Sequence, residues 1–287
     1  MGNYQTDTLT LFTYQNVPLK ATFYRATPKD YRATILYFHG GGLIFGERND
    51  LPTEYIERLT EAGYGILALD YLLAPESKLE TILANLQQSI DWFLTEGAET
   101  LHVPSNDYYL MGRSAGGYLA LYAGVHATKR PLGIISLYGY FNLNEAAFNV
   151  PSRYFLTYQK VSDQMLRLLV QAQPLVAAPM QERFPLYLAA RQRGDWMSLL
   201  TAQPSDAKNF SLTKAQLAEL PRTFIAAATG DQDVPVRQSK LLANYVPDSQ
   251  LLLIDSDEHD FDRTQIEAHG LPVYHQLVAW LEEKSEA

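Results

Sequence analysis

The stretch from Tyr108 to Gly117 reads YYLMGRSAGG, and its local pattern constrains the rest of the chain. Tyr108 to Met111 is a short apolar, aromatic run of the kind that builds a buried strand. Gly112, Ser114 and Gly116 then set a G-x-S-x-G frame, which Gly117 extends before the small-residue helical run that starts at Tyr118. A strand turning sharply into a helix holds a serine in a strained conformation with its hydroxyl outward. The flanking positions must be glycine because a Cβ there would clash with the neighbouring strand and helix. The serine also sits at a helix N-terminus, where N–H groups and the dipole favour negative charge. An attacking alkoxide and a tetrahedral oxyanion both need that environment.

At 287 residues the chain accommodates one large α/β domain with an inserted subdomain, and 47% apolar residues suffice for its core. No segment approaches the ~18 consecutive apolar residues of a membrane span. The opening MGNYQTDTLTLF lacks a basic segment followed by an apolar one, which argues against a secretory signal. Met1-Gly2 with Thr6 fits the loose myristoylation pattern, a match that short sequences produce by chance. The absence of cysteine removes disulfides, thiolate metal sites and cysteine nucleophiles, and the default compartment is the cytoplasm. A net charge of −9 argues against binding nucleic acid and reads most simply as a solubility feature.

Along the chain, Leu9–Thr13 and Leu19–Arg25 alternate apolar and polar residues around Asn16-Val17-Pro18, predicting an antiparallel hairpin. Thr34 to Phe38 is continuously apolar, as a strand buried on both faces should be, and it runs into His39-Gly40-Gly41-Gly42. Three glycines there need a reason: positive φ, or a ligand close to bare backbone. Helices are predicted over 51–62 and 79–94, and strands over 64–71 and 131–137. From about 140 to 220 the strand–helix alternation stops, and helical patterns rich in aromatics take over, at 161–172, 184–193 and 213–220. Thr213 and Gln216 have the spacing of a capping box. Strands at 223–228 and 250–254, with helices at 236–245 and 271–283, restore the alternation.

Three candidate catalytic groups fall at strand ends, where an open parallel sheet places its site: Ser114, Asp233 and His259. His259 takes the serine proton, and a carboxylate fixes its tautomer. Asp233 is preferred to Asp231 for that carboxylate, from the G-x-x-D spacing and the following Val-Pro. The N–H of Ala115, with those of Gly41 and Gly42, would form the oxyanion hole.

HGGGLIFG at 39–46, DYLLAPE at 70–76 and GRSAGG at 112–117 together resemble the hormone-sensitive-lipase-like carboxylesterases of the α/β-hydrolase superfamily. Gly230–Asp233 and His259–Phe261 match that family's acid and base positions. The resemblance implies an α/β-hydrolase fold: a mostly parallel central sheet flanked by helices, with a helical cap inserted late in the sheet. Residues 1–139 and 221–287 would be the core and 140–220 the cap. It also implies hydrolysis of short-to-medium acyl esters through an acyl-enzyme, without a cofactor. Arg113 departs from the pattern, since the family usually has Asp before the nucleophile, and here it reads as pointing toward the cap or forming a structural ion pair. Feruloyl-esterase-like and kynurenine-formamidase-like relatives share parts of the pattern and cleave other acyl bonds.

Simpler roles suit several residues. His39, Asp70 and Glu76 read as supports of the glycine loop. Asp257, Glu258 and Asp260 read as solvated loop charges, and His102, His126, His269 and His275 carry no metal-ligand pattern. Tyr138 and Phe141, just past a strand end, are the best candidates for substrate contact. The expected partner is a small-molecule ester, with the oligomeric state, including a homodimer, left open. The competing readings are an amide-cleaving relative, such as a peptidase or arylformamidase, and a non-catalytic binding protein on a hydrolase scaffold.

Overall fold

A computed structural model of the chain describes residues 4–26 and 31–283; the Gly2 position of the myristoylation frame lies outside them. Eight strands form one sheet in the order β1-β2-β4-β3-β5-β6-β7-β8. β1 (Thr6–Tyr14) and β2 (Val17–Tyr24) make the hairpin, paired antiparallel with a register shift between Thr10 and Phe12. β2 continues antiparallel onto β4 (Tyr64–Leu69). From there β3 (Ala33–Phe38), β5 (Tyr108–Arg113), β6 (Gly133–Leu137), β7 (Thr223–Ala228) and β8 (Ser249–Ile254) are all parallel. Every residue of β3, β4, β5, β6 and β7 is buried, which is why these segments are apolar runs rather than alternating ones.

Helices cover both faces. On one, α1 (Thr53–Glu61) contributes Tyr55, Ile56 and Leu59 to a core shared with Ile35, Met111, Ile135 and Phe224. On the other, α2 (Leu79–Trp92) and α3 (Ala115–Val125) pack onto Leu36, Leu110 and Ile134. α3 is apolar all round and almost wholly buried, as a helix enclosed by sheet and neighbouring helices must be.

The 85 residues from 138 to 222, between β6 and β7, hold helices and no named strand. α4 (Asp163–Leu169) is shorter than its sequence pattern and starts where the Ser162 side chain accepts from the Met165 N–H. α5 (Met180–Arg193) begins four residues before the predicted span and contains Pro185 in its second turn. α6 (Trp196–Leu200) follows. The Thr213–Gln216 capping box is present in full. An isolated bridge between Gly46 and Ala178 ties this segment to the glycine loop after β3. α7 (Arg237–Tyr245), α8 (Phe261–Thr264) and α9 (Leu271–Glu282) complete the chain, α9 adding Tyr274 and Leu277 to the α1 side. No helix among the described residues is long and apolar enough to cross a membrane.

Candidate active site

β5 ends at Arg113, and Ser114 stands between it and α3 with φ 53° and ψ −117°. A non-glycine residue pays for that conformation, which persists only where the surroundings impose it. The surroundings here are two backbone contacts. A Cβ on Gly112 would strike the Gly116 carbonyl, and one on Gly116 would strike the Phe38 carbonyl. Glycine at both positions lets β5, α3 and the end of β3 close around the serine.

His259 lies in the loop after β8. Its Nε2 is 2.8 Å from the Ser114 Oγ and its Nδ1 is 2.7 Å from Asp231 Oδ2. The structure thus brings Ser114 and His259 together and corrects the third member: Asp231, not Asp233, faces the imidazole. The reason is local. Asp231 Oδ1 accepts the N–H groups of Asp233 and Val234, forming a tight turn that aims Oδ2 at the ring. Asp233 points the other way. Its Oδ1 accepts from the Tyr187 hydroxyl at 2.7 Å and from Arg191 Nη1, and its carbonyl accepts Arg191 Nη2 at 3.0 Å. Arg191 is buried beneath the rings of Phe148, Phe155, Tyr187 and Trp196. Asp233 therefore anchors α5 to the loop after β7.

Burial disfavours the His259 imidazolium, but the Asp231 carboxylate more than offsets this through charge and hydrogen bond, aided by Asp233 and Asp260. The balance raises its pKa from 6.5 to about 9. With Nδ1–H held by Asp231, the free-base tautomer leaves Nε2 to accept from the serine hydroxyl.

The glycine loop lies beside the serine. A methyl group added to Gly40 would sit 3.4 Å from the Ser114 Cβ. Gly41 and Gly42 have φ of 101° and 61°, and neither N–H finds an acceptor among the described residues. The Ala115 N–H, at the start of α3, is likewise without one. Among the described residues, three N–H groups without an acceptor thus lie on the glycine loop and at the start of α3, on either side of Ser114. The loop is held from below by His39, which stacks on Tyr71 at 4.1 Å and donates from Nδ1 to the Gly40 carbonyl at 2.7 Å. Burial pushes the His39 pKa down, keeping the ring neutral in that support role. The loop is held from above by the 138–222 segment. Tyr187 packs so closely on Gly42 that a Cβ there would come within 2.5 Å of its ring, and Trp196 Nε1 donates to the Gly42 carbonyl at 3.2 Å. Arg183 donates to the Ile44 and Ala74 carbonyls and pairs with Glu76. Asp70 pairs with Arg48 at 2.8 Å.

A cavity of about 740 Å³ opens over this cluster, lined by the glycines, Ser114, His259 and an aromatic wall that includes Tyr154, Phe155, Tyr158, Phe184 and Tyr187. Tyr138 lines it as expected, although its hydroxyl is engaged by Arg113 and Asp262. Phe141 does not. It is buried against Tyr245, and its N–H donates to Gln238 Oε1, because the chain leaves the cavity wall after Tyr138. The aromatic wall comes instead from residues 154–158 and α5, whose apolar spacing alone did not separate packing from pocket.

The family model described as alpha/beta hydrolase fold matches residues 35–246. A solved protein of unknown function from Staphylococcus aureus subsp. aureus Mu50 is 31% identical, with a TM-score of 0.86, covering 96% of this chain and 98% of that one. A crystal structure of an alpha/beta hydrolase superfamily protein from Enterococcus faecalis is 29% identical, with a TM-score of 0.82, covering 98% and 99%. Among curated proteins, an ethyl acetate hydrolase from Pseudomonas putida is 31% identical over 128 residues, which is 43% of this chain and 40% of that protein. The chain therefore matches less than half the length of that curated relative.

Proposed function

The chain belongs to the α/β-hydrolase-fold family, in its hormone-sensitive-lipase-like branch, and from that premise we propose that it is a serine carboxylesterase acting through an acyl-enzyme. The observation that carries this reading is the unbroken relay Ser114–His259–Asp231 at 2.8 and 2.7 Å, beside three N–H groups that have no acceptor among the described residues. Ser114 Oγ attacks the ester carbonyl as its proton moves to His259 Nε2. Asp231 holds the other nitrogen and stabilises the imidazolium formed. The N–H groups of Gly41, Gly42 and Ala115 receive the oxyanion, each such donor being worth about 2.7–4 kcal/mol in the transition state. The imidazolium then protonates the leaving alcohol. A water deprotonated by the same imidazole releases the acid and restores the hydroxyl. Residues 140–220 act as a cap, and its aromatic wall suits short-to-medium acyl chains.

The direct test is labelling with a fluorophosphonate probe, followed by mapping of the modified peptide, alongside hydrolysis of p-nitrophenyl esters of increasing acyl length. Modification of Ser114 with ester turnover is expected. An unlabelled, inactive protein would point to a binding function on the same scaffold.

The charge around His259 makes a second prediction. The base must be neutral to act, and its pKa near 9 leaves it mostly protonated at neutral pH. The free-enzyme kcat/KM should climb roughly tenfold per pH unit from 6 to 8 and level off near 9. An ordinary histidine would instead place the inflection at roughly pH 6–7. A background-corrected profile already level at pH 7 would show that Asp231 does not govern the base.

A further inference from the structure

We propose that Arg113 is a positioning residue for His259, acting through a buried Arg113–Asp262–Tyr138 cluster that couples the nucleophile turn to the histidine loop. The proposal rests on the esterase reading for its kinetic consequence, and on geometry alone for its structural one.

Arg113 immediately precedes Ser114 and is almost fully buried. Its guanidinium engages partners on three sides. Nη2 donates to Asp262 Oδ1 at 2.9 Å, Nε donates to the Tyr138 hydroxyl at 2.8 Å, and Nη1 lies 3.3 Å from Asp50 Oδ2. The Tyr138 hydroxyl passes the bond on to Asp262 Oδ1 at 2.7 Å, closing a ring of hydrogen bonds. Asp262 is completely buried and also receives the Tyr274 hydroxyl, while Tyr55 donates to its carbonyl at 2.5 Å. Charge is balanced, because Arg263 lies 3.9 Å from Asp50.

One arm of this cluster ends at the imidazole and the other at the loop that carries it. Asp262 sits in the first turn of α8, three residues beyond His259, so fixing its carboxylate fixes the end of the histidine loop. Tyr138 has a φ of 42°, and its ring meets the His259 ring edge-on at 4.9 Å. Its other neighbour, Phe261, packs edge-on at 5.5 Å. Asp231 sets the tautomer of the imidazole from one side, and the Arg113 cluster sets the ring's position from the other. A lysine at 113 would keep the charge but could not form the planar fork that reaches Asp262 and Tyr138 together.

Two variants separate positioning from stability. R113M/D262L removes both members of the closest buried pair, so neither is left as an uncompensated charge. R113K keeps the charge and loses the fork. Both are expected to keep the wild-type far-ultraviolet dichroism. Their kcat on p-nitrophenyl acetate should fall, on the order of 10–100-fold for the double variant and a few-fold for R113K, with KM within about twofold. The downfield proton resonance of the His259–Asp231 hydrogen bond should broaden or disappear in both. A double variant with wild-type kcat and a sharp resonance would overturn the proposal. If the double variant fails to fold, R113K decides: wild-type kcat and resonance in it overturn the proposal equally. The resonance needs no substrate, so it judges the positioning role even where wild-type protein hydrolyses no ester, an outcome that would count against the esterase reading alone.

Discussion

Ser114→Ala is expected to lower kcat on p-nitrophenyl esters by on the order of 10⁶ while leaving the protein folded. The size follows from what is lost. Among the described residues no other hydroxyl lies within hydrogen-bonding distance of His259 Nε2, so the imidazole has no substitute nucleophile there to activate. What remains is attack by water assisted by the N–H groups of Gly41, Gly42 and Ala115, which retains only a residual acceleration of about 10³–10⁴ over the uncatalysed reaction. Stability should hardly change. Alanine keeps the Cβ at φ 53°, so the strain of the turn is neither relieved nor increased. The Oγ bonds only His259 among the described residues, at the wall of an open cavity where water can replace it. The check is steady-state turnover together with a thermal melt on the same preparation. Undiminished turnover in a variant that melts normally would remove the mechanism.

The meeting of Ser114 and His259 was legible because each is placed by a local pattern with its own physical cause. Gly112, Gly116 and the buried strand before them leave Ser114 one place to go, and the end of β8 delivers His259 to the same edge of the sheet. Strand and helix positions came through for a similar reason: strands buried on both faces must be apolar throughout. The carboxylate that faces His259 did not come through, because Asp231 and Asp233 differ by two residues in one turn and the side-chain direction is set by bonds that spacing does not reveal. Asp231 caps Asp233 and Val234, and Asp233 answers to Arg191, more than forty residues earlier in the chain. The cavity wall was illegible for the same reason. Phe141 and Tyr187 are both aromatic and both near the site in sequence or helix pattern, yet one faces Tyr245 and the other covers Gly42. Arg113 was visible as a departure from its family, and only the fold shows what it departs toward: a carboxylate three residues past the histidine.

The proposed relay through Asp231 makes a sharp contrast between two neighbouring aspartates. Asp231→Asn should lower kcat by about 10⁴ with little change in melting temperature. Asparagine can still accept the Asp233 and Val234 N–H groups through its carbonyl, so the turn survives. Its amide then presents N–H to His259 Nδ1, which forces the ring proton to Nε2, the nitrogen that must accept from Ser114. Removing the carboxylate charge also takes away the chief influence raising the His259 pKa, so the kcat/KM inflection should fall below 9. Asp233→Asn should do nearly the reverse. It leaves the His259–Asp231 bond intact and strips the counter-charge from Arg191, which is buried and whose Nε already has no partner among the described residues. Breaking a buried pair from one side costs about 3–5 kcal/mol, so the melting temperature should drop by many degrees. Assayed below its transition, that variant should keep kcat within about tenfold, since Asp233 touches neither Ser114 nor His259. Turnover and melting temperature measured on both variants decide the assignment. A 10⁴-fold loss in the Asp233 variant, with the Asp231 variant still active, would return the acid to position 233 and require the loop after β7 to rearrange when substrate binds.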